Sequence, residues 1–304
     1  MSVIVICGAT ATGKSDLAVE VAKHFDGEIV NADSMQIYRG MNIGTAKLGI
    51  QEREGIPHHV LDVLDVNQDS TVAWYQSAAR SAITDIESRG KRAIVVGGTG
   101  LYIKSILDEL NFPDTDIAVR ENLEKELEAI GLPALFERLE KLDPAAAIAI
   151  DRANARRVIR ALEVIEITGK PFTANLPREA STRYPDARQF GLVMDRESLG
   201  VRISARVNRM WDQGFVGEVD ALLTAGITEG RTAQLALGYS QIIAFRKGNM
   251  SEDEACEDTK RATRQYARRQ ETWFSRDRRI TWISPVQSPL ETVLAQLEKI
   301  NSEQ

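Results

Sequence analysis

Short apolar runs alternate with longer amphipathic stretches along most of this chain. The short runs predict buried parallel strands at residues 3–7, 28–32, 58–64, 93–96, 191–194 and 279–283. Apolar residues recur at helical spacing between them, at 72–88, from residue 101, from residue 198 and at 290–297. Strands that alternate with helices in this way predict an α/β fold built on a parallel sheet.

Residues 113–188 interrupt the alternation of strands and helices. Three stretches there, 120–130, 132–142 and 153–168, have helical apolar spacing, and no strand-like run separates them. We therefore expect a helical insertion domain at 113–188, within a core formed by residues 1–112 and 189–304.

The first predicted strand leads into Gly8-Ala9-Thr10-Ala11-Thr12-Gly13-Lys14-Ser15, which fits the phosphate-loop pattern G-x-x-x-x-G-K-[ST]. A helical pattern begins directly after it. A loop between a strand and a helix directs backbone N–H groups and the positive helix end at one phosphate. Lys14 would add positive charge, and the Ser15 hydroxyl would hold a magnesium ion. The pattern predicts a diphosphate or triphosphate site without specifying the molecule that carries it.

Two further strand ends carry candidate chemistry. Asp33 and Ser34 follow strand 28–32, and the carboxyl ends of parallel strands meet at one crevice, although a cap or turn role is common for such a pair. Strand 93–96 ends in Gly97-Gly98-Thr99-Gly100, without the metal-binding acid of many phosphate-loop ATPases. This favours a hydroxyl donor to a phosphate over NTP hydrolysis. The structural alternative for Thr99 is the N-cap of the following helix.

Ser198 is the predicted cap of a helix with arginines on one face. Arg202, Arg206 and Arg209 lie opposite its apolar stripe. A solvated face and a face that closes over an anion both fit this pattern.

Length and charge narrow the classes of function. The 304 residues suffice for one large or two moderate domains, and the formal net charge of −6 argues against a uniformly basic coat for nucleic acid. A local basic stretch at 260–279 still allows an RNA partner on one face. The two cysteines form no disulfide framework, no apolar run is long enough for a membrane span, and the first strand leaves no room for a signal peptide. We expect a cytoplasmic protein without a membrane partner.

Taken together, these motifs resemble the tRNA dimethylallyltransferases, which move a dimethylallyl group from its diphosphate to an adenine beside the tRNA anticodon. The resemblance covers the chain nearly end to end and keeps the family's order. The matching stretches are 8–15, 29–41, 43–47, 57–59, 96–102, 156–164, 237–239 and 263–270. One departure is Ala9, where the family usually has proline. Adenylate isopentenyltransferases are the closest alternative, but they typically carry Asp-Lys at Asp33-Ser34 and Thr-Asn-Lys at Thr45-Ala46-Lys47.

The resemblance implies a P-loop NTPase-like parallel sheet with flanking helices, the activity of the family on dimethylallyl diphosphate and the anticodon stem-loop of tRNA, magnesium as cofactor, and a monomer. It implies that Asp33 is the general base and that Thr99 hydrogen-bonds the leaving diphosphate. The implied diphosphate-binding residues are Gly8, Thr10, Ala11, Thr12, Gly13, Lys14, Ser15, Asp16 and Arg206, with Arg202 as the alternative to Arg206. The implied tRNA-binding residues are Asp33, Ser34, Met35, Gln36, Thr99, Arg120, Arg156, Arg157, Val158, Ile159, Arg160, Leu235, Gly238, Tyr239, Arg264 and Arg268.

Two functions from other classes compete with this interpretation. A small-molecule kinase would share the core fold, but it would use ATP. A non-catalytic RNA-binding switch would need neither a base at Asp33 nor a hydroxyl at Thr99.

Overall fold

A computed structural model describes residues 2–113, 115–175 and 181–301. The strands are β1 (Ile4–Gly8), β2 (Gly27–Asn31), β3 (His58–His59), β4 (Arg92–Val96), β5 (Arg188–Leu192) and β6 (Ile280–Ile283). In the described residues they form one parallel sheet in the order β3-β2-β4-β1-β5-β6. The helices are α1 (Lys14–His24), α2 (Val72–Ser88), α3 (Gly100–Leu107), α4 (Ile117–Leu142), α5 (Pro144–Ala149), α6 (Ala155–Thr168), α7 (Arg196–Asp212), α8 (Phe215–Thr224), α9 (Tyr239–Arg246), α10 (Glu252–Phe274) and α11 (Pro289–Asn301). The predicted α/β fold is confirmed.

The chain divides into two compact units. Unit 1 comprises Met1–Leu107 and Tyr184–Gln304, and unit 2 comprises Asp108–Arg183. The predicted insertion, 113–188, begins and ends a few residues later than unit 2. Among the described helices, none combines the length and the apolar content that crossing a membrane requires.

In unit 1 the sheet is buried on both faces. Ile4 and Ile6 of β1 pack on one face with α1 and α11, whereas Val5 and Cys7 pack on the other with α2, α3 and α9. All four side chains have no exposed surface. Strands covered on both sides need apolar residues at successive positions, which explains why they are recognisable as continuous apolar runs.

Two local predictions for unit 1 were wrong. The strand predicted at 58–64 ends after His59, because Val60 and Asp62 have φ angles of 57° and 55°, in the left-handed region that an extended strand cannot contain. Helix α7 is capped by Asp195 and not by Ser198. The Asp195 carboxylate accepts a hydrogen bond of 2.9 Å from the backbone N–H of Ser198, which lies in the first turn.

Unit 2 is helical throughout its described elements, as predicted. Gly131, with φ 81° and ψ 160°, breaks α4 into two helices at the point where the apolar period restarts. The short helix α5 was not predicted, and Asp143 caps it through a 3.0 Å bond from the backbone N–H of Ala146. The buried core of unit 2 includes Leu123, Leu135, Leu139, Val158 and Leu162.

Candidate active site

A cavity of about 290 Å³ lies in unit 1 where β1 and β2 end. Its walls are the loops that follow β1 and β2, residues 44–45, α7, the start of α8, residues 235–239 and α10. It brings together eight residues predicted for the site, namely Thr10, Ala11, Asp33, Ser34, Met35, Arg206, Leu235 and Tyr239. The carboxyl edge of a parallel sheet is where such folds bind ligands.

The loop after β1 has the geometry of a phosphate cradle. Gly13 precedes α1 in a left-handed conformation, and the α1 N-terminus has no side-chain cap, so its first-turn N–H groups remain available to an anion. Inside the loop, the backbone oxygen of Ala9 accepts hydrogen bonds from Thr12 Oγ1 at 2.9 Å and Lys14 Nζ at 2.5 Å. The Thr12 side chain therefore shapes the loop. Gly8 starts the loop at the end of β1, Ser15 is half-buried, and Asp16 is exposed in the first turn of α1.

Positive charge is concentrated beside this loop. Burial and, to a smaller extent, the nearby charge of Arg206 lower the pKa of Lys14 to about 8, against the opposing charge of Asp33. Burial also lowers the pKa of Arg206. A partly desolvated ammonium next to a guanidinium suits an anion that carries more than one negative charge.

The structure distinguishes between the arginines of α7. Arg206 Nη1 donates to Thr10 Oγ1 at 3.4 Å, and Arg206 lines the cavity. Arg202 and Arg209 are exposed. The solvated-face interpretation therefore fits Arg202 and Arg209, and the anion-facing interpretation fits Arg206.

Asp33 uses one carboxylate oxygen to organise its own loop. Oδ1 accepts hydrogen bonds from the backbone N–H groups of Met35 at 2.8 Å and Gln36 at 3.3 Å. Asn31 Oδ1 fixes the Asp33 backbone through a 3.0 Å bond from its N–H. Within the described residues Oδ2 has no hydrogen-bond partner, so a turn-capping role and a role as base are compatible on the same side chain.

Thr99 is joined to the loop that carries Asp33. Its Oγ1 accepts a hydrogen bond from Ser34 N at 3.1 Å and donates to Ser34 Oγ at 3.4 Å. The N–H groups of Tyr102 and Ile103 in α3 bond to the backbone oxygen of Thr99 instead of its hydroxyl. The side chain therefore does not act as the helix cap that was considered as its structural alternative.

Tyr266 of α10 connects Thr99 to the cavity. Thr99 is not part of the cavity wall, whereas Tyr266 is. The Tyr266 hydroxyl lies beside the Thr99 hydroxyl and the Gln270 amide, both of which lower its pKa, but burial dominates and raises that pKa to about 12. Tyr266 was not predicted from the sequence.

Gln270, one helical turn further along α10, was also missed as a site residue. Its Oε1 accepts from the Thr10 backbone N–H, and its Nε2 donates to the Gly98 backbone oxygen, each at 2.9 Å. Only 5% of Gln270 is exposed, and a Cβ atom added at Gly98 would lie 2.2 Å from Nε2. This amide therefore holds the loop after β1 and the loop after β4 together. Its place in the matching stretch 263–270 was the one signal that could have identified it.

The residues present fit a magnesium ion next to the phosphate loop. The Ser15 hydroxyl is half-buried and, within the described part of the chain, has no hydrogen-bond partner, so its oxygen is free to be a ligand. Magnesium prefers oxygen ligands and commonly uses one or two protein groups together with phosphate oxygens and water. In the described residues no cluster of three or more His, Cys, Asp or Glu offers an alternative metal site.

In unit 2, the residues predicted to bind tRNA fall into three groups. Arg156 and Arg157 are exposed at the start of α6. Arg120 and Arg160 both contact the buried carboxylate of Glu163, at 2.6 and 2.9 Å. The predictions for the side chains of Val158 and Ile159 need correction, because these residues are 0% and 7% exposed and belong to the core of the unit.

The remaining predicted contacts lie in unit 1. Leu235 is 64% exposed, Arg268 is exposed, and Arg264 Nη1 donates to Ser204 Oγ at 3.1 Å. Gly238 precedes α9 with a φ of 84°.

Tyr239 departs from its predicted role. It has no solvent-exposed surface, and its hydroxyl donates to Glu218 Oε1 at 2.6 Å, so its side chain forms a fixed part of the cavity wall. Burial and the nearby Glu218 carboxylate raise its pKa. Arg269, which lines the cavity 5.7 Å from the ring of Tyr266, was not predicted.

Comparisons with known proteins agree across sequence and structure. The model of the IPP transferase family matches residues 36–277. A tRNA dimethylallyltransferase of Thermobifida fusca is 54% identical over 293 residues, which is 95% of this chain and 91% of that protein. One from Streptomyces griseus is 53% identical over 281 residues, covering 92% and 89% of the two chains.

Two crystal structures are similar over most of the chain. The tRNA isopentenylpyrophosphate transferase of Bacillus halodurans has a TM-score of 0.72 and 37% identity, covering 99% of this chain and 98% of its own. A eukaryotic dimethylallyltransferase acting on tRNA has a TM-score of 0.79 and 29% identity, covering 93% and 74%.

Proposed function

Because the chain belongs to the IPP transferase family, we propose that it transfers a dimethylallyl group from dimethylallyl diphosphate to the N6 amine of the adenosine on the 3′ side of the tRNA anticodon. The observation that carries this proposal is the single cavity into which a phosphate loop, Arg206 and the Asp33 carboxylate converge. A prenyl transfer needs an anion site for the leaving group and a base for the amine, and the phosphate loop with Arg206 and the Asp33 carboxylate would serve as these two.

The donor diphosphate would bind at the loop after β1. The N–H groups of α1, Lys14 and Arg206 would surround the diphosphate; the charge of Arg206 acts on Lys14, and Arg206 contacts Thr10 of the same loop. As the allylic C–O bond breaks, positive charge spreads over the allyl group and negative charge grows on the departing oxygen, which these groups stabilise. Magnesium held by Ser15 would add Lewis-acid stabilisation of the same charge.

We assign Thr99 as a hydrogen-bond donor to the leaving oxygen, which would have to approach the Thr99 hydroxyl beside Tyr266, since Thr99 itself is not part of the cavity wall. The hydrogen bond from Thr99 Oγ1 to Ser34 Oγ is long, at 3.4 Å, so a charged oxygen would outcompete it. The shorter bond that Thr99 Oγ1 accepts from Ser34 N keeps the oxygen in place while the hydroxyl rotates.

The target adenine would enter the cavity beside Asp33. An adenine inside a stacked anticodon loop cannot reach a buried diphosphate, so it must be flipped out of the stack. The amine forms the new C–N bond to the allylic carbon, the diphosphate departs with the C–O electrons, and Asp33 Oδ2 accepts the amine proton. Met35, which lines the cavity, and Gln36, which follows it, would contact the base, and Asp33 Oδ1 holds the backbone of both.

The exposed arginines would bind the RNA backbone. Arg156 and Arg157 in unit 2 and Arg268 in unit 1 face solvent, and guanidinium groups pair well with phosphate. Because these residues are few and the net charge is −6, the RNA contact is local. The proposal includes action as a cytoplasmic monomer.

Transfer of labelled donor tests this function. The purified protein, magnesium and dimethylallyl diphosphate labelled in the allyl carbons are incubated with an unmodified tRNA transcript or with AMP. We expect label in the RNA and none in AMP. Label in AMP would assign the chain to the nucleotide-modifying relatives. In a separate assay with ATP, tight binding and phosphate transfer would assign it to the kinases.

A further inference from the structure

A carboxylate outside the cavity wall holds a segment that forms part of the wall. Glu218 of α8 accepts hydrogen bonds at Oε2 from the backbone N–H groups of Asn42, at 3.0 Å, and Ile43, at 2.7 Å. Its Oε1 accepts from the Gly44 N–H at 3.2 Å and from the Tyr239 hydroxyl at 2.6 Å. One side chain thereby fixes three consecutive backbone N–H groups and a phenol.

Residues 42–44 pack closely against two aromatic rings at Gly44 and have no room to move towards them. A Cβ atom added at Gly44 would lie 2.2 Å from the ring of Phe215 and 2.6 Å from the ring of Tyr239. These rings pack edge to face, with centroids 4.8 Å apart. Phe215 lies one helical turn before Glu218 on α8, so the ring and the carboxylate contact the same stretch of backbone.

A continuous path of contacts leads from this segment to the proposed base. Gln36 Nε2 donates to the backbone oxygen of Thr45 at 3.0 Å. The Gln36 N–H in turn bonds to Asp33 Oδ1 at 3.3 Å. Thr45, Gly44 and Asp33 all line the cavity. Displacement of residues 42–45 would therefore disturb the position of Gln36 and the shape of the cavity next to Asp33.

We propose that Glu218 is a positioning residue that fixes the acceptor side of the cavity by pinning residues 42–45. This inference rests on the proposed function, because it assigns the pinned segment to the side where the adenine enters. The loop after β1 is held independently by Gln270. Loss of Glu218 should therefore impair the use of RNA and leave donor binding intact.

The chain offers a matched control for this test. Asp220 lies on the same helix, and its Oδ1 accepts from Arg246 Nε of α9 at 2.6 Å, but it does not bond to the 42–45 segment. Glu218→Gln replaces one accepting oxygen by an NH₂ group that opposes the backbone N–H donors. Tyr239→Phe removes only the phenol donor that anchors Glu218 Oε1, so the carboxylate can move away from the three backbone N–H groups.

The experiment compares Glu218→Gln, Tyr239→Phe, Asp220→Asn and the parent. With an unmodified tRNA transcript and saturating dimethylallyl diphosphate, kcat/KM for RNA should fall by about 10²-fold in Glu218→Gln, the loss expected when reacting groups are misplaced by about 1 Å. The Kd for donor should equal the parental value. Hydrogen exchange of the peptide that covers 42–47 should accelerate in Glu218→Gln and stay parental in Asp220→Asn.

Parental kinetics and parental exchange in Glu218→Gln would overturn the inference. An equal loss in Asp220→Asn would also overturn it, since the effect would then be general to α8. If Glu218→Gln does not fold, hydrogen exchange of the same peptide in Tyr239→Phe tests the inference instead. Faster exchange is expected, and parental exchange would contradict the inference. A parent that transfers no prenyl group would refute the proposed function, while the exchange comparison would still decide whether Glu218 pins the segment.

Discussion

Lys14 is half-buried, and its ammonium donates to the backbone oxygen of Ala9 inside the phosphate loop. Burial and the charge of Arg206 together lower its pKa to about 8. A bound diphosphate brings negative charge to the ammonium and favours its protonated form. The free protein therefore loses this proton as the pH rises through about 8, while the complex retains it, so donor binding has to take up a proton above that pH.

We predict that donor affinity falls as the pH rises above about 8, by up to about tenfold per pH unit, because one proton is taken up on binding. Titration calorimetry with dimethylallyl diphosphate across this range measures the effect. Lys14→Arg should flatten the profile, since its guanidinium stays charged. Lys14→Ala should bind weakly at every pH. A parental Kd that does not change with pH would contradict the assignment of Lys14 to the diphosphate site.

Thr99 is the residue whose loss should separate chemistry from binding. A hydrogen bond to the leaving oxygen strengthens as charge develops, so Thr99→Ala should slow single-turnover transfer by roughly 10²–10³-fold, as for a lost oxyanion donor. Donor and tRNA affinities should remain nearly parental, and Thr99→Ser should keep much of the rate. If Thr99→Ala lowered the melting temperature but transferred the prenyl group at the parental rate, its role would be confined to holding Ser34.

At the scale of elements, α10 joins the phosphate loop to the loop after β4 through Gln270. Gln270→Ala leaves the Thr10 N–H and the Gly98 carbonyl without partners, at a cost of about 1–3 kcal/mol for each buried group. We predict a lower melting temperature and weaker donor binding. Gln265→Ala, an exposed glutamine on the same helix, is the matched control and should change neither. Parental donor affinity in Gln270→Ala would show that the phosphate loop keeps its shape without α10.

The elements that could be predicted from sequence are those set by local pattern. The phosphate loop and α1 are specified by adjacent residues, and α2 was predicted at its observed bounds because its apolar period is regular. Gln270 and Glu218 could not be located in this way. Gln270 is 260 residues from Thr10, and Glu218 is 176 residues from Asn42, so only the folded sheet and its helices bring each pair together.

The same limit explains the corrections in unit 2. Arg156 and Arg157 are exposed, whereas Val158 and Ile159 of the same matching stretch are buried. A helix turns about 100° per residue, so a contiguous motif necessarily contributes to two faces. A resemblance carries over the whole motif, and only the structure separates its exposed arginines from its core residues.

At the scale of the whole molecule, we predict how tRNA affinity depends on salt from the acidic net charge and the local arginines. tRNA affinity should fall steeply with salt concentration, each neutralised phosphate contributing about −0.7 to −0.9 to the log–log slope. Removing both charges in Arg156→Ala/Arg157→Ala should make the slope shallower, and a matched double variant at Arg202 and Arg209 of α7 is the control. Filter binding over a salt series measures this. A salt-independent affinity would contradict a phosphate-directed RNA surface.

The identity of the modified nucleoside tests the account most directly. Unmodified tRNA is incubated with the protein, magnesium and dimethylallyl diphosphate, then digested and analysed by mass spectrometry, and the modified site is mapped by fragment sequencing. We expect adenosine that carries one added dimethylallyl group on N6, at the position 3′ of the anticodon, and no product from AMP. Two results would contradict the proposed function. One is tRNA that stays unmodified although the protein is folded and binds the donor, and the other is a prenyl group on free AMP.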